Sequence, residues 1–519
     1  MLQADAKSPR DRLMGWLIAA VVLLAWGGAL QSWFASDDFL WLDISRPASV
    51  LASFSSRAGV IYDFRPIVRI SYLLDWFLWG DQALGWHLIN LALHGACAWL
   101  GWRLIMPWLG AAVAFWTVLI FAAMPVLQEN VVWISGRTAS LGLLFGLLSL
   151  LGFRAFLRTR RWLWLGASVM ADLAALASYE AMILLPLIHL SMAYDARMTN
   201  RRQALSAGLI MLAAQAVLFA YRGHVLREHS FHPGAVYQFR PISIASLISL
   251  YHDYGPYHAM VLVAPWLLAP GVLALLARRN RDLARAAGLV LLITLLAFAP
   301  FMVFTGAASR YFYTGSLGIA LLCGILLQAT RRMLPLWFAP KMGLGLIALA
   351  GVWILQAEIA QARAETRDWV AAGALGQSVI GQIRTIDPNP NPEALHVVLG
   401  MPTGLGNGEL FFTSPERAVH RFTRLPIDAL VATHELRGND AHARRFMGHV
   451  LEEQDEFRAR ARLPLPSCLD RLYAATADIN DFFHRAPQCG LDVWQIQDGM
   501  VRRVDDQTFF DWWQNRPGR

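Results

Sequence analysis

The sequence predicts a mainly α, polytopic membrane protein of about eleven spans with a small α/β domain at its C-terminal end. Three observations carry this reading. Of 519 residues, 56% are hydrophobic and 16% charged, with a mean hydropathy of +0.40, too apolar for an ordinary soluble chain of this size. Apolar runs near the length that crosses a bilayer recur along the chain, separated by short loops that carry arginines. Past residue 392 the pattern changes to short alternating stretches and polar turns. The net charge of +8 does not point to nucleic acid, because the arginines cluster between apolar runs, where they set orientation in a bilayer.

The expected spans lie near residues 13–34, 86–107, 110–126, 138–157, 161–178, 181–194, 204–221, 259–277, 286–304, 311–330 and 342–358. The first reads as a retained helix, since no small-residue cleavage pattern ends it. With the N-terminus cytoplasmic, the loops holding Arg154, Arg158, Arg160 and Arg161, then Arg197, Arg201 and Arg202, then Arg278, Arg279 and Arg281, and finally Arg331 and Arg332 all fall inside. An odd number of spans then sends the C-terminal domain outside the cytoplasm. The first outer loop, 35–85, is long and aromatic. Its RPASVLASF and SYLLDWFLWG stretches read as helices lying along the interface, so the loop is expected to cap a cavity. A second outer segment, 222–258, contains YHDYGPYH and is expected to lie along the interface too.

Three units follow: a transmembrane domain over 1–358, a polar helix with a linker over 359–392, and an extracytoplasmic domain over 393–519. DPNPNP at 387–392 stops the helix. Leu395 to Leu399 reads as a strand, and VWQIQ, then Asp498-Gly499, then MVRRV reads as a tight hairpin. No period near 34 residues is visible, which argues against a tetratricopeptide (TPR) array. Cys97 and Cys323 lie in apolar runs and are expected to pack, while Cys468 and Cys489 would pair in an oxidising compartment.

The polar residues that stand out gather around SDDFLW, just past the first span. Asp37 and Asp38 offer a general base for an acceptor hydroxyl; the plain alternative is a helix cap or a solvated turn. Two adjacent carboxylates raise one another's pKa, so one would act and the other orient it. Arg65 in FRPI, Arg137 in WISGR and Arg310 in SRYFY fall on the outer side, against the usual charge bias, and guanidinium suits an anionic lipid head. Snorkelling, or pairing with Asp63, Asp75 or Glu129, is the alternative for each. His87, Asn90 and His94 share one helix face and are expected to bond between helices or line the substrate cavity, with Glu129, Glu180 and Tyr313. About 10.5 Å along the axis separates the two histidines, too far for both to bind one metal; no cofactor is expected, and the ligand spacing does not support a divalent metal, which stays open as the alternative.

SDDF, FRPI, LWG, WHLINLALHG, the long stretch AAMPVLQENVVWISGRTASLGLLFGLLSLLGF, SYE and SRYFYTGSLG follow one another over residues 30–325. In this order they resemble the GT-C glycosyltransferases, most closely the transmembrane-and-TPR O-mannosyltransferases and their bacterial relatives. The resemblance implies a polyprenyl-phosphate sugar donor and an outward-facing site under the first loop. It also implies Asp37 as the base, Arg137 and Arg310 at the lipid phosphate, and Glu129 and Glu180 at the family's acidic positions; Arg65 is expected to help hold the phosphate. Met124 stands where the family pattern has His, Tyr179 where it often has Lys, and no TPR array follows. These departures bear on the acceptor, a glycan, lipid or protein hydroxyl that the C-terminal domain would present or select. The expected reaction is inverting sugar transfer at the cell inner membrane. Two rivals remain: a polymerase or ligase that uses a diphosphate-linked glycan, and a lipid or glycan transporter.

Overall fold

In the computed structural model, the described residues are 9–44, 54, 64–195, 201–228, 281–302, 309–333, 340–391, 394–402, 404–405, 408–411, 415–423, 430–434, 468, 471, 485–507 and 510–511. Helices α1 (Pro9–Trp26), α2 (Asp38–Ile44), α3 (Pro66–Trp79), α4 (Ala83–Leu109), α5 (Ala111–Ala123) and α6 (Gln128–Val131) open the chain. They are followed by α7 (Arg137–Thr159), α8 (Trp162–Ser178), α9 (Leu185–Asp195), α10 (Arg201–Glu228), α11 (Arg281–Met302), α12 (Tyr313–Met333) and α13 (Pro340–Ile386). Among the described residues, seven helices are long and apolar enough to cross a membrane, or eight with the bent pair α5 and Pro125–Val131. Trp162–Ser178 and Glu180–Ala193 are shorter apolar helices, and the span expected at 259–277 lies outside the described residues, as do residues 46–53 of RPASVLASF and 229–258. The chain is a multi-pass membrane protein. Large apolar side chains such as Trp16, Leu163, Val217 and Trp353 face outward from the bundle, as lipid-facing positions should.

The SYLLDWFLWG stretch forms most of α3, with Pro66 at its first turn, where a missing N–H costs nothing. The polar helix expected at 359–386 is not separate from the last span. Both belong to α13, a single helix of 47 residues and about 70 Å, more than twice the thickness of a hydrocarbon core. Only its last turns, past Trp369, therefore reach beyond the bundle, where they carry the C-terminal domain.

That domain contains β1 (Leu395–Met401), the short antiparallel pair β2 (Gly404–Leu405) and β3 (Gly408–Glu409), α14 (Pro415–Thr423), β4 (Leu430–His434), β5 (Leu491–Gln497) and β6 (Met500–Val504). The main sheet has the order β4-β1-β5-β6. β1 is parallel to β4 and β5, and β5 turns back antiparallel into β6. Asp498 and Gly499 both have positive φ (50° and 75°), the tight hairpin turn the sequence announces. A disulfide joins Cys468 to Cys489. One apolar core fills the bundle around Trp26, Phe121 and Trp369. A second is shared between the two parts, with Phe34, Phe39 and Trp86 packed in one cluster with Ile383, Phe411 and Trp494.

Candidate active site

A buried loop between α5 and α7 organises the site. Met124 is extended (φ −62°, ψ 114°), as a residue before proline should be, and the chain bends by 54° into 3-10 turns on either side of α6. Every residue from 121 to 143 is buried, so the irregular backbone here must find hydrogen-bond partners inside the protein. Asn90 Nδ2 donates to the Trp133 carbonyl at 2.9 Å and the Tyr72 hydroxyl to the Ile134 carbonyl at 3.3 Å. Asn130 Nδ2 donates to the Gly136 carbonyl at 3.2 Å. Only glycine fits at 136, because a Cβ there would collide with the Glu129 carbonyl.

One side of this loop holds the acidic pair. Asp38 is 2% exposed. Its carboxylate accepts from the Ala35 N–H (3.0 Å), the Ser135 N–H (2.9 Å) and the Ser135 hydroxyl (2.5 Å). Burial pushes the Asp38 carboxyl up to about 7. The three hydrogen bonds oppose that rise, and the neighbouring Asp37 charge adds to it. Asp37 is less buried. The pair is thus divided: Asp38 fastens the turn to the loop, and Asp37 is the carboxylate left nearer the surface. Trp133 Nε1 also donates to the Ala35 carbonyl, at 3.1 Å.

The same loop presents cations on its other side. Arg310 Nη1 lies 3.0 Å from Glu129 Oε2, and its guanidinium sits 5.5 Å from the Trp133 ring centroid and 5.3 Å from that of Tyr311. Trp133 therefore touches both the Asp37 turn and Arg310. Arg65 grips Glu180 with two hydrogen bonds, 3.0 and 2.7 Å, and lies 5.8 Å from the Tyr179 ring centroid. The charges of Glu180, Arg65 and Arg310 all bear on the Tyr179 hydroxyl. Arg222, which the sequence reading passed over, is a further cation acting on Glu180.

Arg137 does not join this group. It is fully buried, 2.5 Å from Asp75, and donates to Asn90 Oδ1 at 2.9 Å and the Trp86 carbonyl at 3.1 Å, with Tyr72 stacked at 4.8 Å. It braces α3, α4 and the loop against one another. The polar stripe on α4 is equally internal. His87 Nε2 lies 3.4 Å from the Trp33 carbonyl, and His94 bonds the Tyr313 hydroxyl at 2.9 Å and the Ala122 carbonyl at 3.1 Å. The His94 bonds run between helices and include Tyr313, 0% exposed, while His87 reaches the non-helical stretch after α1. Ser135, Trp133 and Arg222 escaped sequence reasoning. The first two lie inside the most specific motif, but only the folded loop reveals what each one touches.

Beside the site, a cavity of about 410 Å³ runs between α4, α7, α9, α11 and α12. Its walls are apolar, and Ala181, Met182 and Thr314 line one end, each within two residues of Glu180 or Tyr313. Arg154 and Arg158 line the other.

An apolar bundle, an acidic turn pinned to the buried loop before α7 and a small α/β domain packed beside it make up an architecture shared with solved structures of known class: the chain has the fold of the GT-C glycosyltransferases. It superposes on ArnT from Cupriavidus metallidurans bound to undecaprenyl phosphate with a TM-score of 0.55 at 15% identity, over 96% of this chain and 98% of that one. The archaeal oligosaccharyltransferase AglB from Archaeoglobus fulgidus, in complex with an inhibitory peptide and a dolichol-phosphate, gives 0.53 at 9% identity, covering 95% and 70%. In sequence, the chain is 31% identical over 123 residues to the protein O-mannosyl-transferase Tmtc1 of Drosophila melanogaster, 23% of this chain and 14% of that protein. It is 30% identical over 155 residues to TMTC2 of Mus musculus, 28% and 18%. The chain thus spans less than a fifth of these relatives' length. No family model matches it.

Proposed function

We propose that this protein is an inverting glycosyltransferase that moves one sugar from a polyprenyl-phosphate donor to an acceptor hydroxyl. The observation that carries this reading is the loop 125–136. It holds the Asp37 turn through Ser135 and Trp133 on one side and Arg310 through Glu129 on the other.

Asp37 takes the proton from the acceptor O–H as the acceptor oxygen attacks the anomeric carbon. The bond from that carbon to the phosphate oxygen breaks on the opposite face, its electron pair leaves with the phosphate, and the configuration inverts. The donor phosphodiester carries one negative charge and the departing phosphomonoester approaches two. Arg310 and Arg65, with Arg222 close by, stabilise the charge that develops. Arg137 serves as a positioning residue through Asp75 and Asn90. The cavity takes the isoprenoid chain.

The end of the bundle that carries Asp37 faces away from the cytoplasm. The arginine-rich loop at Arg154–Arg161 lies at the opposite end of α7, and the Cys468–Cys489 disulfide suits an oxidising compartment. In a bacterial cell this corresponds to the inner membrane.

Purified protein supplied with defined polyprenyl-phosphate sugars and candidate acceptors tests the reading. Transfer should occur with inversion, and Asp37→Asn should lower kcat by about 10²- to 10⁴-fold, the usual worth of a positioned base. Turnover only with a diphosphate-linked donor, or lipid movement across vesicles without transfer, would overturn it.

A further inference from the structure

We infer that the C-terminal domain sets the direction of the Asp37 carboxylate through an interdomain latch, with Arg421 as its positioning residue. The inference rests on the proposed transferase reading. Ser36, just before the acidic pair, is held at φ 52°, in the left-handed region that L-residues avoid. Its N–H donates to the carbonyl of Leu410, which belongs to the C-terminal domain. The backbone conformation that aims Asp37 is therefore completed by a residue far along the chain.

Aromatic contacts fix the same junction. Phe39 stacks on Phe411 at 5.7 Å, and Phe422 packs against Phe39 at 6.4 Å and Trp33 at 5.0 Å. One residue before Phe422, on α14, Arg421 reaches across to the α3–α4 turn. Its Nε and Nη2 lie 2.9 and 2.5 Å from Asp81 Oδ1, and its guanidinium is 4.6 Å from the Trp76 ring centroid. The Arg421 side chain is only 5% exposed, against 50% for Asp81. An exposed ion pair would contribute little, but a guanidinium enclosed by an indole and aimed by a carboxylate fixes the approach of α14. The latch thus holds the Asp37 turn directly through Leu410 and Phe411, and indirectly by seating α14 on the first loop.

The test compares wild type, Arg421→Gln and Arg421→Lys in two measurements. Hydrogen exchange of the peptide spanning 33–42 reads the Ser36 bond without reference to activity, and steady-state transfer separates kcat from donor KM. Arg421→Gln should raise exchange in 33–42 while leaving α4 and α7 protected, and should lower kcat at least tenfold with donor KM within twofold. Arg421→Lys, which keeps the charge over Trp76, should recover part of the loss. Exchange that rises throughout the bundle, or faster exchange at 33–42 with unchanged kcat, would overturn the positioning role. Wild type that consumes no polyprenyl-phosphate sugar defeats the transferase reading. Wild type that is active and matched by Arg421→Gln in both measurements defeats the latch alone.

Discussion

Arg137 and Asp75 form an ion pair with side-chain exposures of 0% and 3%. Removing one partner of such a pair leaves an uncompensated buried charge at a cost of about 3–5 kcal/mol, whereas apolar replacement of both is often near neutral. Arg137→Met and Asp75→Leu should each lower stability in detergent micelles by about that amount, read as unfolding in denaturant, and the double variant should recover most of the loss. Arg137→Met that keeps wild-type stability while losing donor affinity would instead return this guanidinium to the phosphate. In the sequence, an arginine on the outer side looked available, because charge topology reports depth and side but not partners. The partners on offer were Asp63, Asp75 and Glu129. The structure gives Asp75 to Arg137 and Glu129 to Arg310, while Asp63 lies outside the described residues. The division of the acidic pair was legible in kind, since adjacent carboxylates repel. That Asp38 is the fastened member depends on Ser135, 97 residues away, which no local spacing encodes.

At the scale of elements, the loop between α5 and α7 works because its backbone folds back on itself, bringing Gly136 against the Glu129 carbonyl. Gly136→Ala forces the two apart, and overpacking of this kind costs about 1–3 kcal/mol. The displacement acts on Glu129 and Ser135, the two residues that hold Arg310 and Asp38, so Gly136→Ala should raise donor KM and lower kcat together, each at least tenfold. A stability loss without any kinetic change would mean that the loop relaxes away from the site. Helices were the readable part of this chain. Apolar runs located α1, α4, α7, α10, α11 and α12 within a few residues, because burial in lipid is a property of each run by itself. The continuity of α13 was hidden, since hydropathy falls where the helix leaves the bundle and reads as a boundary. Helical geometry continues there because the exit is packed: Trp369 donates to Gln128 Oε1 at 3.0 Å and stacks on Trp133.

At the scale of the whole molecule, the cavity ties the site to the bilayer. Leu143 and Arg158, both lining it, are fifteen positions apart on α7, or about 22 Å. Half of a hydrocarbon core is only about 15 Å, so the groove is longer than an ordinary acyl chain in one leaflet requires. Under the proposed function, the isoprenoid tail of the donor would enter beside Glu180 and run toward Arg154. Bulk added midway should therefore penalise long donors and spare short ones. Leu150 is 8% exposed and lines the cavity about halfway between Leu143 and Arg158, and Leu150→Trp fills part of it. The expected result is a KM for a full-length polyprenyl-phosphate sugar raised at least tenfold, about 1.4 kcal/mol. That corresponds to the loss of about 60 Å² of apolar contact at about 25 cal/mol per Å². A donor with a single isoprene unit, too short to reach residue 150, should keep its KM, and kcat should change less than threefold for both. Equal losses for the two donors would mean that the tail lies elsewhere and the substitution acts by disturbing α7.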